Sequence, residues 1–348
     1  MKYQNFISDR TKFYKIVEPL ELELGGTLNQ VQIAYRTWGN LNKKGDNAVL
    51  ICHGFSANAD ADIWWDELFG EAKIFNPEQD FIVCTNVLGS CYGSTGAISI
   101  NPETGKVYGA SFPAITIRDM VRSQYELMQG LGISQWKLVI GGSMGGMQTL
   151  EWAVMYPDLV RRIVAISTSG RHSPWSIALG ETQRQAIYAD PLWQDGNYED
   201  NSPHHGLAIA RMIATCAYYS YPNFIERFAR KIDGDGNFTI TNYLHQEGQK
   251  FLKRFDANVY VSLTKAMDTH DLGRDRADYL QVLNRIYQPT LIVTTPNDLL
   301  YVPAEQEELA EVIPNAKLAE LVSTHGHDAF LIDLANLNCL LQKFINNI

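Results

Sequence analysis

Cysteine is scarce in this 348-residue chain. There are five, an odd number, scattered at Cys52, Cys84, Cys91, Cys216 and Cys339 with no C-x-x-C pair. That excludes a disulfide framework and reads as reduced thiols in a cytoplasmic protein. No H-E-x-x-H spacing occurs either, so no metal site is expected. Positive charge is in short supply: 29 Lys and Arg face 39 Asp and Glu, a formal net charge of −10. A general nucleic-acid surface is therefore excluded, and an anionic ligand needs a local basic site. No apolar run approaches a membrane span, and residues 1–20 lack the hydrophobic stretch of a signal peptide. What remains is ordinary globular composition, 45 % hydrophobic and 20 % charged. The length suits one large α/β domain with an insertion, or two domains.

The most informative stretch is Leu138-Val139-Ile140-Gly141-Gly142-Ser143-Met144-Gly145-Gly146-Met147-Gln148-Thr149-Leu150. An apolar run, a Gly-dense turn holding one serine, and a helix-like segment follow without a break. Gly141, Ser143 and Gly145 satisfy G-x-S-x-G, the nucleophile elbow of the α/β-hydrolase fold. A serine on so sharp a turn needs unusual φ/ψ, and its neighbours must lack Cβ for strand and helix to close. The turn lifts Oγ out of the sheet and aims the first helical N–H groups at the reacting atom.

Along the chain, residues 20–24 and 31–37 alternate around Gly25-Gly26 and are expected to pair as a hairpin. Residues 48–52, 81–85 and 162–167 are continuous apolar runs, the mark of strands buried on both faces. A helix is expected over 117–131. From about residue 170 to 287 the pattern becomes long helical segments: 177–188, 205–218, 222–231, 242–255 and 258–269. Strand pattern resumes at 290–295 and 317–322, with a helix at 304–312 between them. Phe330, Leu331, Leu334, Leu337, Leu340, Leu341 and Phe344 then repeat at helical spacing as core packing. The fold class is α/β, a mostly parallel doubly wound sheet with an inserted helical cap. The core is expected over 1–170 and 286–348, and the cap over 171–285.

A serine elbow needs a base and an orienting acid, which in this fold follow in the order Ser, Asp/Glu, His. Asp298 lies in the loop after the apolar run 291–295, at the carboxyl end of an expected parallel strand. For the base, His325 and His327 are equally placed between the last strand and the last helix. The oxyanion donors are expected to be the backbone N–H groups of Met144 and Phe55, the latter after His53-Gly54.

Several longer stretches carry a closer resemblance. They are Asn86–Gly96, Ser99–Lys106, Phe112-Pro113 with Thr116–Met120, Gly141–Gln148, Gln183–Ile187 and Gly326-His327-Asp328-Ala329-Phe330-Leu331. Over essentially the whole chain, and in order, it resembles the homoserine O-acetyltransferase family. That resemblance implies Ser143 as nucleophile, Asp298 as acid, and His327, in G-H-D-A-F, as base. It also implies Arg211 and Asp328 as substrate-binding residues. By residue pattern alone, Arg211 falls off the apolar stripe Ile209, Met212, Ile213, Cys216 and suits a solvated face, while Asp328 suits a helix cap. The family usually carries H-A-L-T-G-x-x-H where this chain has His53-Gly54-Phe55-Ser56-Ala57-Asn58-Ala59-Asp60, and that loop borders the acyl group. The implied reaction moves acetyl from acetyl-CoA, a co-substrate and not a bound cofactor, to L-homoserine through an acyl-serine. A succinyl donor, a serine acceptor, or a serine esterase are the alternatives. The resemblance also implies a homodimer formed through cap helices.

Overall fold

The computed structural model describes residues 6–198 and 202–346. Its strands are β1 (Lys12–Lys15), β2 (Leu20–Glu21), β3 (Thr27–Leu28), β4 (Gln32–Trp38), β5 (Ala48–Cys52), β6 (Phe81–Thr85), β7 (Trp136–Gly142), β8 (Ile163–Ile166), β9 (Thr290–Thr294) and β10 (Ala316–Glu320). Eight form one sheet in the order β1-β4-β6-β5-β7-β8-β9-β10. From β6 to β10 every pairing is parallel, whereas β4 runs antiparallel to β6 and to β1. The continuous apolar runs are explained by two cores. In β5, Ala48, Leu50 and Cys52 join one core and Val49 and Ile51 the other. A strand covered on both faces has no solvent side on which polar residues could alternate.

The expected hairpin is corrected. Leu20–Glu21 pairs with Thr27–Leu28, directly across Gly25 and Gly26, which have φ of 93° and 86°. The later stretch, β4, joins the main sheet instead, because its inward residues Ile33 and Tyr35 belong to the large core. β1 is an added edge strand with little buried surface, which is why its sequence carries no strand signal.

Helix Ile117–Gly130 begins with a capping box in which the Thr116 and Asp119 side chains answer each other's backbone N–H. Between β8 and β9 lie helices Pro174–Tyr188, His204–Tyr218, Tyr221–Phe228, Thr239–Leu252, Ala257–Asp268 and Tyr279–Leu283. A buried network ties this segment to the sheet layer. Arg118 reaches Glu23 at 2.5 Å and Glu151 at 3.1 Å, while Arg274 and Arg276 reach the same two carboxylates at 2.8 and 2.7 Å. The last helical stretch is interrupted: a 3-10 turn, Gly326–Asp328, leads into Ala329–Ile332, and Leu334–Asn346 follows after a break at Asp333. Among the described residues no helix is long and apolar enough to cross a membrane.

Candidate active site

The parallel strands end on one side of the sheet, and the loops there gather the candidate residues. Ser143 sits between β7 and helix Met144–Met155 with φ 58° and ψ −127°. Its glycines are steric requirements. A Cβ on Gly145 would lie 2.0 Å from the Cys52 carbonyl oxygen at the end of β5, and one on Gly141 would lie 2.4 Å from the Gly145 oxygen. Ser143 thereby stands at the head of a helix whose first N–H groups have no intrahelical acceptor.

Asp298 follows β9. Its Oδ1 accepts from the Leu300 and Tyr301 N–H groups at 2.8 and 2.9 Å, and its Oδ2 lies 2.8 Å from His327 Nδ1. Asp298 and His327 are both buried. Burial pulls the imidazole pKa down, but the Asp298 charge and hydrogen bond more than offset this, so His327 titrates above the ordinary histidine value. The bond to Nδ1 leaves Nε2 free to face the cavity. His325 points elsewhere: its Nδ1 lies 3.0 Å from Asp333 Oδ2 and 3.2 Å from Ser323 Oγ. The structure therefore brings His327, and not His325, to Asp298. Ser143 and His327 line one cavity without a hydrogen bond between them. Such bonds commonly tighten only when substrate binds.

That cavity has a volume of about 330 Å³, and Arg211, Asp328, Tyr218 and Arg254 also line it. The expected solvated face for Arg211 is corrected. On helix His204–Tyr218 the small residues Gly206, Ala210, Ala214 and Ala217 face inward, while Ile209 and Cys216 are exposed. Small side chains let the helix pack closely against its neighbours, and the long Arg211 side chain then reaches into the cavity. Its guanidinium lies 5.1 Å from both the Tyr218 and Phe251 rings, and its Nε has no partner. Burial lowers the Arg211 pKa, yet Tyr218 and Asp328 raise it further, so it stays cationic. Asp328 makes no capping bond. Burial raises its pKa against the pull of His327 and Arg211. Among the described residues, Arg211 and Asp328 form no ion pair with one another; each presents its charge to the same space.

Ser143 also borders a second, smaller chamber of about 40 Å³, lined in part by Phe55, Leu179, Met267 and Tyr301 and by the polar His172, Gln183 and Asp268. Tyr301 is fully buried with its pKa well above the usual phenol value, chiefly through burial and the nearby Glu305 and Asp298 charges. The Phe55 ring meets Tyr260 edge-on at 4.8 Å, and the Phe55 N–H donates to no protein acceptor among the described residues. His53 anchors the same loop, with Nδ1 2.7 Å from the Gly54 carbonyl and Nε2 accepting from the Val87 N–H at 3.1 Å. Burial lowers its pKa to about 4, so it is neutral and structural. Among the described residues, no three His, Cys, Asp or Glu side chains are grouped to hold a metal.

Sequence reasoning missed Tyr218, Tyr301 and Arg254. Tyr218 carried a signal, since it lies seven residues after Arg211 and so on the same helix face. Phe330 and Leu331, read as core packing only, also line the cavity.

Residues 47–334 match the model of the α/β hydrolase fold. Over 99 % of its length the chain is 57 % identical to the homoserine O-acetyltransferase of Nostoc punctiforme, covering 98 % of that protein. The chain belongs to the homoserine O-acetyltransferase family. It is also 55 % identical to the family member of Chloroherpeton thalassium, over 99 % of this chain and 91 % of that one. Among solved structures, the homoserine O-acetyltransferase of Bacillus anthracis superposes with a TM-score of 0.90 at 27 % identity, covering 97 % of this chain and 98 % of that one. Esterase E22 superposes with a TM-score of 0.88 at 26 % identity, covering 96 % and 99 %. One fold thus carries both transferases and esterases, and the activity is decided by the site.

Proposed function

We propose that this protein transfers an acetyl group from acetyl-CoA to the hydroxyl of L-homoserine, a step towards methionine. The observation that carries this reading is the unpaired cation and anion of Arg211 and Asp328, lining the cavity that holds Ser143 and His327. A free amino acid offers a carboxylate and an ammonium. Arginine suits the first because its planar fork donates two parallel hydrogen bonds. A neutral ester needs neither charge.

In this mechanism His327 Nε2 takes the Ser143 proton while Asp298 holds the ring and balances its positive charge. Ser143 Oγ attacks the thioester carbonyl, and the oxyanion accepts from the Met144 and Phe55 N–H groups. The carbon–sulfur bond breaks, His327 returns the proton to the thiolate, and CoA leaves an acetyl-serine. The homoserine hydroxyl then gives its proton to His327 and attacks the ester, restoring Ser143. The relatives named homoserine O-acetyltransferase support acetyl as the acyl group. The helices over the cavity shield the acyl-enzyme from water until the acceptor arrives. Exposed Ile209, Tyr221 and Ile225 on those helices support a homodimer through this face.

The test is a panel of acyl-CoAs with homoserine, serine or neither, following free thiol. Sustained thiol release only with acetyl-CoA plus homoserine is expected, with parallel lines in two-substrate plots and the acetyl group on the Ser143 peptide. Equal turnover with and without an acceptor would make the protein an esterase. Intersecting lines with no acyl-enzyme would mean direct transfer.

A further inference from the structure

The Phe55 N–H can serve the oxyanion only if its loop is held still. Residues 53–60 form no strand or helix. On the inner side His53 holds Gly54, as described. On the outer side the holder is Arg254, just past helix Thr239–Leu252. Its Nη1 donates to the Ser56 carbonyl at 2.6 Å and to the Tyr92 hydroxyl at 3.0 Å. The Tyr92 hydroxyl in turn donates to the Arg254 carbonyl at 3.0 Å. The next residue, Phe255, stacks obliquely on Phe55 with ring centroids 5.5 Å apart. Within ion-pair distance no carboxylate accompanies Arg254 among the described residues, and the side chain lines the main cavity.

We infer that Arg254 is a positioning residue for acyl transfer. It pins the Ser56 carbonyl, two peptide units beyond the Phe55 N–H, so that the short loop between them keeps that N–H aimed at the reacting carbonyl oxygen, and its charge favours the oxyanion that forms there. This rests on the acyl-serine reading above. Both half-reactions pass through a tetrahedral oxyanion in the same hole, so Arg254 serves both equally. Arg211, by contrast, meets only the amino acid. Outright loss of one oxyanion donor costs about 10²–10³ in rate; a donor left in place but loosened costs less.

The experiment compares Arg254→Ala, Arg254→Lys and Tyr92→Phe with wild type. Three rates are read: thiol release from acetyl-CoA without acceptor, single-turnover transfer from the acetyl-enzyme to homoserine, and the p-nitrophenol burst from p-nitrophenyl acetate. Arg254→Ala is expected to slow all three by a similar factor, about 10–100-fold, with the half-saturating homoserine concentration unchanged. Arg254→Lys should recover part of the loss, keeping the charge without the fork. Tyr92→Phe should show the same even pattern at smaller size. If Arg254→Ala fails to fold, Arg254→Lys and Tyr92→Phe carry the comparison. Wild-type rates in all three assays overturn the inference. So does a loss confined to the homoserine step, which would place Arg254 in the acceptor site. If wild type releases no thiol from any acyl-CoA, the transferase reading fails instead. The p-nitrophenyl acetate burst then still tests Arg254, because that ester uses the same hole.

Discussion

Under the proposed mechanism, removing the Arg211 guanidinium should separate the two half-reactions. The homoserine carboxylate would lose two charge-assisted hydrogen bonds, each worth about 1.5–3 kcal/mol. Water entering the space left by the side chain restores part of that. The net expected loss is about 3 kcal/mol, or about 10²-fold in transfer from acetyl-enzyme to homoserine. A second effect follows from the charges present. Arg211 holds down the pKa of Asp328, which burial already raises. Without the cation that pKa climbs further, so at a given pH less Asp328 is ionised to meet the ammonium. The deficit of Arg211→Ala should accordingly be worst at low pH and shrink as pH rises. Thiol release from acetyl-CoA should stay within about tenfold of wild type, roughly 1.4 kcal/mol, and slow hydrolysis of the acyl-enzyme should persist. Rapid-quench measurement of each half-reaction across pH 6–9 reads all of this. Equal losses in both halves, independent of pH, would refute the reasoning and make Arg211 a structural residue.

His327→Ala should lower acylation by several orders of magnitude, and His325→Ala, whose ring is tied to Asp333, far less; the reverse order would exchange their roles. Because the base must be neutral and the Asp298 charge raises the His327 pKa, acylation should rise with pH through an apparent pKa above about 6.5. Asp298→Asn should move that midpoint down, as burial is then opposed only by the Asp328 charge, and an unmoved midpoint would assign the titration to another group. By linkage, the His327–Asp298 pair stabilises the fold fully below the unfolded histidine value, and that contribution is lost as pH rises through the folded one. Gly145→Ala forces a Cβ against the Cys52 carbonyl oxygen. It should cost about 3 kcal/mol or more in denaturant unfolding, the upper end of overpacking, and should also slow acylation, since Cys52 leads into the Phe55 loop. Gly234→Ala, with nothing within 4 Å, should change stability by less than about 0.5 kcal/mol.

The sheet and the elbow were legible in the residue pattern alone. Strands β5, β6, β7 and β9 are buried on both faces, so their residues had to be continuously apolar. The Ser143 turn leaves no room for side chains at Gly141 and Gly145. Both are local demands that leave a local mark. Chain order likewise picked out Asp298 and two candidate histidines. Facing and partnership depend instead on long-range packing. His325 and His327 are two residues apart in the same loop, and it is the Asp298 carboxylate, 29 positions away, that distinguishes them. Arg211 was hidden because a helix packed through Gly206, Ala210 and Ala214 leaves Ile209 and Cys216 of the apolar stripe exposed, reversing the usual meaning of such a stripe. The first hairpin was misassigned because residues 20–21 find a nearer partner in residues 27–28, while β4 pairs with β1 and β6 and packs Ile33 and Tyr35 into the large core. Arg254 left no trace in the sequence: its acceptor, the Ser56 carbonyl, is a backbone atom 198 positions away, and a backbone atom can be supplied by any residue.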